Sequence, residues 1–302
     1  MTITPFRALI SVLLANVLFG LMSPVAKLSM AEGVMDGVSL ASLRLGGAAL
    51  LFWLLSFFVP HQKVDAKDWF RLFLMSLCGM ALNQYLFIVG VSITVPSHAA
   101  LAATITPALT VLLGWLIYKQ RISWLRLGGL VLAAVGVLIM VLSANSGGKS
   151  GHPLGDVMCL CSQMLSSCYF LFFMPLIKKY HPVVLMKWLF SISAVISMPF
   201  VAPHLWNFPW AELSTVSCMG ALYVVVGATF LSYLLILPGQ KYLPTSVVVA
   251  FIYLQAVIAA AVSIAWGLEG FTFIKLIASL MIGTGVWIVQ YFAHRDHSHA
   301  GN

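Results

Sequence analysis

Ten stretches of this chain contain no Asp, Glu, Lys, Arg or His: 8–26, 45–60, 72–97, 99–118, 127–148, 157–177, 188–203, 213–240, 242–268 and 276–293. Eight have at least 18 residues; the two of 16 each follow a lone cation, Arg44 or Lys187. The apolar residues before those cations restore the ~20 residues that a helix needs to cross a bilayer. Lipid cannot satisfy backbone N–H and C=O groups, so only helices or closed barrels span it. A barrel would alternate over ~10-residue strands, and these runs are continuous. The expected fold is an all-α integral membrane protein with ten transmembrane helices.

Composition excludes the other classes. Charged residues make up 8% of the chain, against ~25% in a soluble domain whose surface must face water. A hydrophobic share of 61% excludes disorder. Ten spans take ~200 residues plus short loops, so no sizeable soluble domain remains. The first run resembles a secretory signal with Arg7 as its basic region, but it carries Asn16 and Pro24, and nine similar runs follow. The five cysteines all lie in apolar segments and read as small packing residues, not as a disulfide framework.

The 16 Lys and Arg are spread thinly between the runs, with no stripe for nucleic acid. With the N-terminus inside, 12 of them (among them Arg7, Lys63, Arg126, Lys179 and Lys187) fall on the inner side, and Lys27, Arg44, Lys149 and Lys275 fall outside. The positive-inside rule then places both termini in the cytoplasm of a plasma (inner) membrane.

The halves resemble each other in ordered spacings. Tyr85 and Pro96 lie 148 positions before Tyr233 and Pro244. Gly136-Val137 precedes Gly285-Val286 at nearly that offset, Phe19-Pro24-Lys27 matches Phe170-Pro175-Lys178, and Arg44 pairs with Lys187. The expected units are 1–149 and 150–302, joined in the Ser/Gly/Asn/Lys-rich stretch 143–153. Five helices per copy is odd, so the second copy enters from the opposite side. Such inverted repeats recur in transporters, with the site near mid-depth.

These residues resemble the EamA-type carriers of the drug/metabolite transporter superfamily. The matching pieces are Phe19-Gly20 with Lys27, Ser42-Leu43-Arg44-Leu45, Asn83-Gln84-Tyr85-Leu86-Phe87 with Gly90, Pro107, and Ile122-Ser123 followed by Gly128-Gly129 and Gly136-Val137. The resemblance implies two inverted five-helix copies, cytoplasmic termini and a central cavity for small metabolites, such as amino acids or toxic compounds, that are exported or exchanged. Members usually carry an acid in the turn after the fourth helix of each copy. Glu269 fills it in the second copy, and Lys119-Gln120-Arg121 replaces it in the first.

Polar side chains at mid-depth point to the site, because lipid cannot satisfy them. Hydroxyls bond their own helix backbone readily and are poor markers. Amides have more groups to satisfy, and they serve equally as interhelical ties or as cavity lining. The candidate substrate-binding set is Asn16, Gln84, Tyr85, Gln163, Tyr169, Tyr233 and Gln255. Gln84 is preferred over Asn83, since neighbours on a helix point ~100° apart. Arg44 reads as an anion contact or a gate pairing with Glu32, Asp36 or Glu269; snorkelling is the competing reading. All acids lie at run ends or in loops, and His98 reads as an interfacial histidine, which favours facilitated diffusion or exchange over proton coupling. Pro24, Pro107 and Pro175 mark kinks, static or functional.

His294, His297 and His299 read as a short solvated tail, not a metal site, and no cofactor or catalytic constellation is expected. The expected partners are the bilayer and a small-molecule substrate; the sequence does not set the oligomeric state. The expected function is a metabolite transporter that works by alternating access. The rivals are a channel, a non-transporting membrane protein and an embedded enzyme.

Overall fold

A computed structural model describes residues 5–60, 62–119, 123–142, 151–236 and 245–299. Residues 143–150 of the expected join 143–153, the repeat marker Pro244 and the turn residues Gln120 and Arg121 lie outside them. Helices follow the apolar runs in order: α1 (Pro5–Ser29), α2 (Gly37–Ser56), α3 (Ala66–Ile93), α4 (Pro96–Thr104), α5 (Thr106–Tyr118), α6 (Trp124–Leu142), α7 (Pro153–Lys179), α8 (Pro182–Trp206), α9 (Thr215–Ile236), α10 (Thr245–Ala265) and α11 (Phe273–His299). No strand occurs among the described residues.

Seven of these helices are long and apolar enough to cross a membrane, or eight if α4 and α5 form one bent span. α10 and α11 add two further apolar helical stretches, Phe251–Ala265 and Phe273–Val289, so the described residues establish seven or eight spans rather than the expected ten. The 43° bend between α4 and α5 falls at Ile105, just before Pro107, whose ring cannot continue the hydrogen-bond ladder. Pro24 and Pro175 sit inside unbroken helices. The histidine tail is helical to His299; the side chains of His294, His297 and His299 are not described.

The outside and inside of the bundle are reversed relative to a soluble protein. Phe200 is 82% exposed and Trp206 89%, while Asn16, Gln84, Arg44 and Asp156 are buried. Only an apolar solvent makes that arrangement favourable.

Two features repeat along the chain. Both α3 and α9 pass into π-helix, over Leu77–Leu82 and Tyr223–Leu231. The packing between halves is reciprocal: α3 meets α7 and α1 meets α9; α5 meets α7 and α1 meets α10; α2 meets α9 and α3 meets α8. The contact between α6 and α11 pairs equivalent helices. A Cβ on Gly136 would lie 3.0 Å from the Ala278 oxygen and 2.9 Å from Ile282, and one on Gly285 would lie 2.6 Å from the Gly129 oxygen and from the Ala133 nitrogen. Rising numbers in α6 meet falling numbers in α11, so the two run antiparallel at a contact only glycine permits.

Candidate functional site

A cavity of about 290 Å³ lies at the centre of this packing and draws lining from both halves. Arg44, Gln84, Gln163, Tyr169, Tyr233 and Gln255 line it. Six of the expected residues, on α2, α3, α7, α9 and α10, therefore converge on one space. Phe19, Met22, Met80, Phe87, Phe170 and Met186 form its apolar walls.

Arg44 is the only charged residue of this lining among the described residues. It sits two turns into α2 and is 2% exposed, so it does not snorkel. Its Nε donates to the Thr229 hydroxyl at 2.8 Å, and its buried Nη1 has no partner. The expected pairings with acids do not form. Glu269 takes the Ser97 hydroxyl at 2.5 Å and faces Lys275 at 3.5 Å. Asp36 caps α2 through the Ser39 N–H and pairs with His204 at 2.7 Å. A buried guanidinium without a carboxylate is costly, because neither water nor a counter-charge replaces its hydration. An anion entering the cavity would supply what Nη1 lacks.

The amides divide their bonding between protein and cavity. The Gln163 Oε1 accepts from the Thr106 hydroxyl at 2.8 Å, and its Nε2 donates to Ser162 at 2.9 Å. The Gln255 Nε2 donates to the Asn16 Oδ1 at 2.6 Å, and the Asn16 amide donates to the Val12 carbonyl at 2.7 Å. Asn16 therefore stands behind Gln255, outside the lining, and orients its amide. Tyr85 also lies outside the lining; its hydroxyl meets Ser42 at 2.8 Å between apolar clusters. Asn83 shares the lining with Gln84, but its amide donates to the Ser162 carbonyl and the Ser166 hydroxyl. Gly79 lets α3 approach the Tyr169 ring: a Cβ there would sit 2.2 Å from a ring carbon.

One acid is held more deeply than its place at a run end suggests. Asp156, at the run boundary, is fully buried in the first turn of α7. It accepts from the Thr94 hydroxyl and meets His98 Nδ1 at 3.0 Å, and His98 is fully buried too. The visible signal was an acid immediately before a long apolar run, where a helix N-terminus favours negative charge. Neither residue lines the central cavity. Lys187 lies over the Trp53 ring at 4.3 Å from its centre.

The two ends of the molecule carry polar clasps between halves. Lys179 lies 2.5 Å from both Asp65 and Asp68, and the Tyr180 hydroxyl donates to Asp68 at 2.7 Å. The Asp36–His204 pair joins the start of α2 to the end of α8.

The profile of the EamA-like transporter family matches residues 6–142 and again 153–291. An uncharacterized transporter, YdfC of Bacillus subtilis, is 25% identical over 83% of this chain and 80% of its own length. An uncharacterized inner membrane transporter, YicL of Salmonella typhimurium, is 24% identical over 78% and 79%. A WAT1-related protein of Arabidopsis thaliana, At5g13670, is 23% identical over 96% and 85%. A protein crystal structure aligns with 97% of this chain and 99% of its own, with a TM-score of 0.64 and 15% identity, a likeness of fold alone.

Proposed function

The chain belongs to the EamA-like transporter family and is thus a multi-pass membrane transporter, and on that premise we propose that it carries small amino-acid-like carboxylates with apolar bodies. The observation that carries this is Arg44, a buried cation with an unpartnered donor in a cavity with no acid among its described lining residues. A carboxylate would dock on Nη1, the Gln84, Gln163 and Gln255 amides would meet its polar groups, and Phe19, Met80 and Phe170 would hold its body.

Alternating access is the mechanism we assign. Five-helix copies of inverted topology, 1–149 and 150–302, rock around the cavity, exposing it to each side in turn. The antiparallel contact between α6 and α11, equivalent under the repeat, supports inversion, and the reciprocal pairings across the bundle support a two-fold relation. The clasp at Lys179 closes the cytoplasmic side and the Asp36–His204 pair the outer side of the plasma (inner) membrane, with ten spans and both termini inside. Net movement is export or exchange without obligatory proton coupling, which fits a titratable pair, His98–Asp156, standing off the cavity.

Exchange in proteoliposomes tests this. Vesicles preloaded with a mixture of amino acids should take up one labelled member saturably and faster than unloaded vesicles, and Arg44→Gln should lose most of that uptake. Uptake that never saturates and ignores the internal load would make the protein a channel. Undiminished uptake by Arg44→Gln would remove the carboxylate site.

A further inference from the structure

A second and larger cavity, about 590 Å³, opens between α10 and α11 and shares no lining residue with the central one. The two lie on opposite sides of a wall made by α4 and α10: Ala100 and Gln255 face the central cavity, Ser97, Leu101 and Tyr253 the other. Its rim residues Val257, Leu280 and Trp287 are exposed large hydrophobics, so it opens sideways on the apolar exterior. In a membrane transporter that direction is the bilayer.

The interior of this cleft is not purely apolar. The Glu269 side chain is 1% exposed and lines the cavity. Its Oε2 takes both the Ser97 hydroxyl and the Lys275 ammonium, and its buried Oε1 has no donor. The buried Tyr253 hydroxyl, also on this lining, has no partner either. An unmatched buried acceptor costs about 1–3 kcal/mol. The unmatched Glu269 Oε1, a pure acceptor, calls for a ligand head that donates a hydrogen bond. Lys275 already neutralises Glu269 at 3.5 Å, so a second cation would meet repulsion and a neutral donor would not. Gly283 keeps the floor open: a Cβ there would find only the Tyr253 ring, at 4.0 Å.

We propose that the cleft between α10 and α11 binds a neutral amphiphile from the bilayer, its hydroxyl or N–H head donating to Glu269 Oε1 and its apolar body lying between Val257, Leu280 and Trp287. The volume is in the range of small-molecule sites, ~300–1,000 Å³. The site does not depend on what the central cavity carries.

Photolabelling of the whole protein in proteoliposomes tests it, with a decanol whose chain carries a diazirine. Adducts mapped by mass spectrometry should concentrate on the α10–α11 cleft, and unlabelled decanol should compete about tenfold better than decane, the equivalent of one hydrogen bond to a charged group. Glu269→Leu should abolish that preference. Gly283→Leu, which fills open space, should remove the adducts while leaving the melting temperature in detergent unchanged or higher. Labelling spread evenly over the lipid-facing helices, equal competition by decane, or undiminished labelling of Gly283→Leu would each overturn the site.

Discussion

Arg44 concentrates the cost and the purpose of the central site in one side chain. Its guanidinium is held by a single hydroxyl, Thr229, and its Nη1 faces no acceptor. Removing such a charge should relieve the empty protein. Arg44→Met is expected to raise the melting temperature in detergent by about 2 °C or more, since ~1 kcal/mol moves a chain of this order by ~2–4 °C, while transport is lost. A fall in melting temperature would mean that the cation already has a counter-charge. The residue itself was legible from its isolation among apolar neighbours. Its partner was not: Thr229 lies 185 positions away, and no spacing rule reaches that far. The amides Gln84, Gln163 and Gln255 were legible because an amide in lipid must face something polar. Tyr85 and Tyr233 hold equivalent positions in the two halves, yet only Tyr233 lines the central cavity, because equivalent positions in two copies need not line the same space. The burial and pairing of Asp156 and His98 were not legible, because a charge at a run end normally reaches water; here the packing of α4 and α7 buries both.

Among the elements, the helices were plain from their apolar runs and their internal departures were not. The π-helical turns in α3 and α9 follow no composition rule, though Gly79 and Gly227 within them stand 148 positions apart, the same offset as Tyr85 and Tyr233. Gly79→Ala should displace the Tyr169 ring and cost about 1–3 kcal/mol, read as a lower melting temperature. The seam between α6 and α11 allows an internal comparison. Gly285→Leu places a side chain against the Gly129 and Ala133 backbone, which cannot yield, and should destabilise severely. Gly128→Ala, one helix position from Gly129 with nothing within 4 Å of its new carbon, should stabilise by about 1 kcal/mol through helix propensity. Equal melting temperatures for the two variants would mean that the seam is not close-packed.

At the scale of the molecule, the halves are interleaved: the contacts of α3 with α7, α5 with α7 and α2 with α9 each recur in reverse, as α1 with α9, α1 with α10 and α3 with α8. An inverted repeat places the N-terminus and the end of α11 on the same side, so fluorescent reporters active only in the cytoplasm should light at both ends. Darkness at one end would break the inversion. The clasps at Lys179 and at Asp36–His204 should alternate, so Lys179→Met is expected to favour the state open to the cytoplasm, read as faster thiol labelling of Cys substituted at Ile177 on the cavity wall. The central claim, a transporter whose buried cation selects carboxylates, is tested most directly by untargeted profiling of metabolites inside and outside cells that overproduce the protein or its Arg44→Gln variant. The account predicts that the wild-type chain redistributes one or a few carboxylate-bearing metabolites and that the variant leaves them at control levels. Redistribution confined to cations or uncharged solutes, or an identical pattern with the variant, would contradict it.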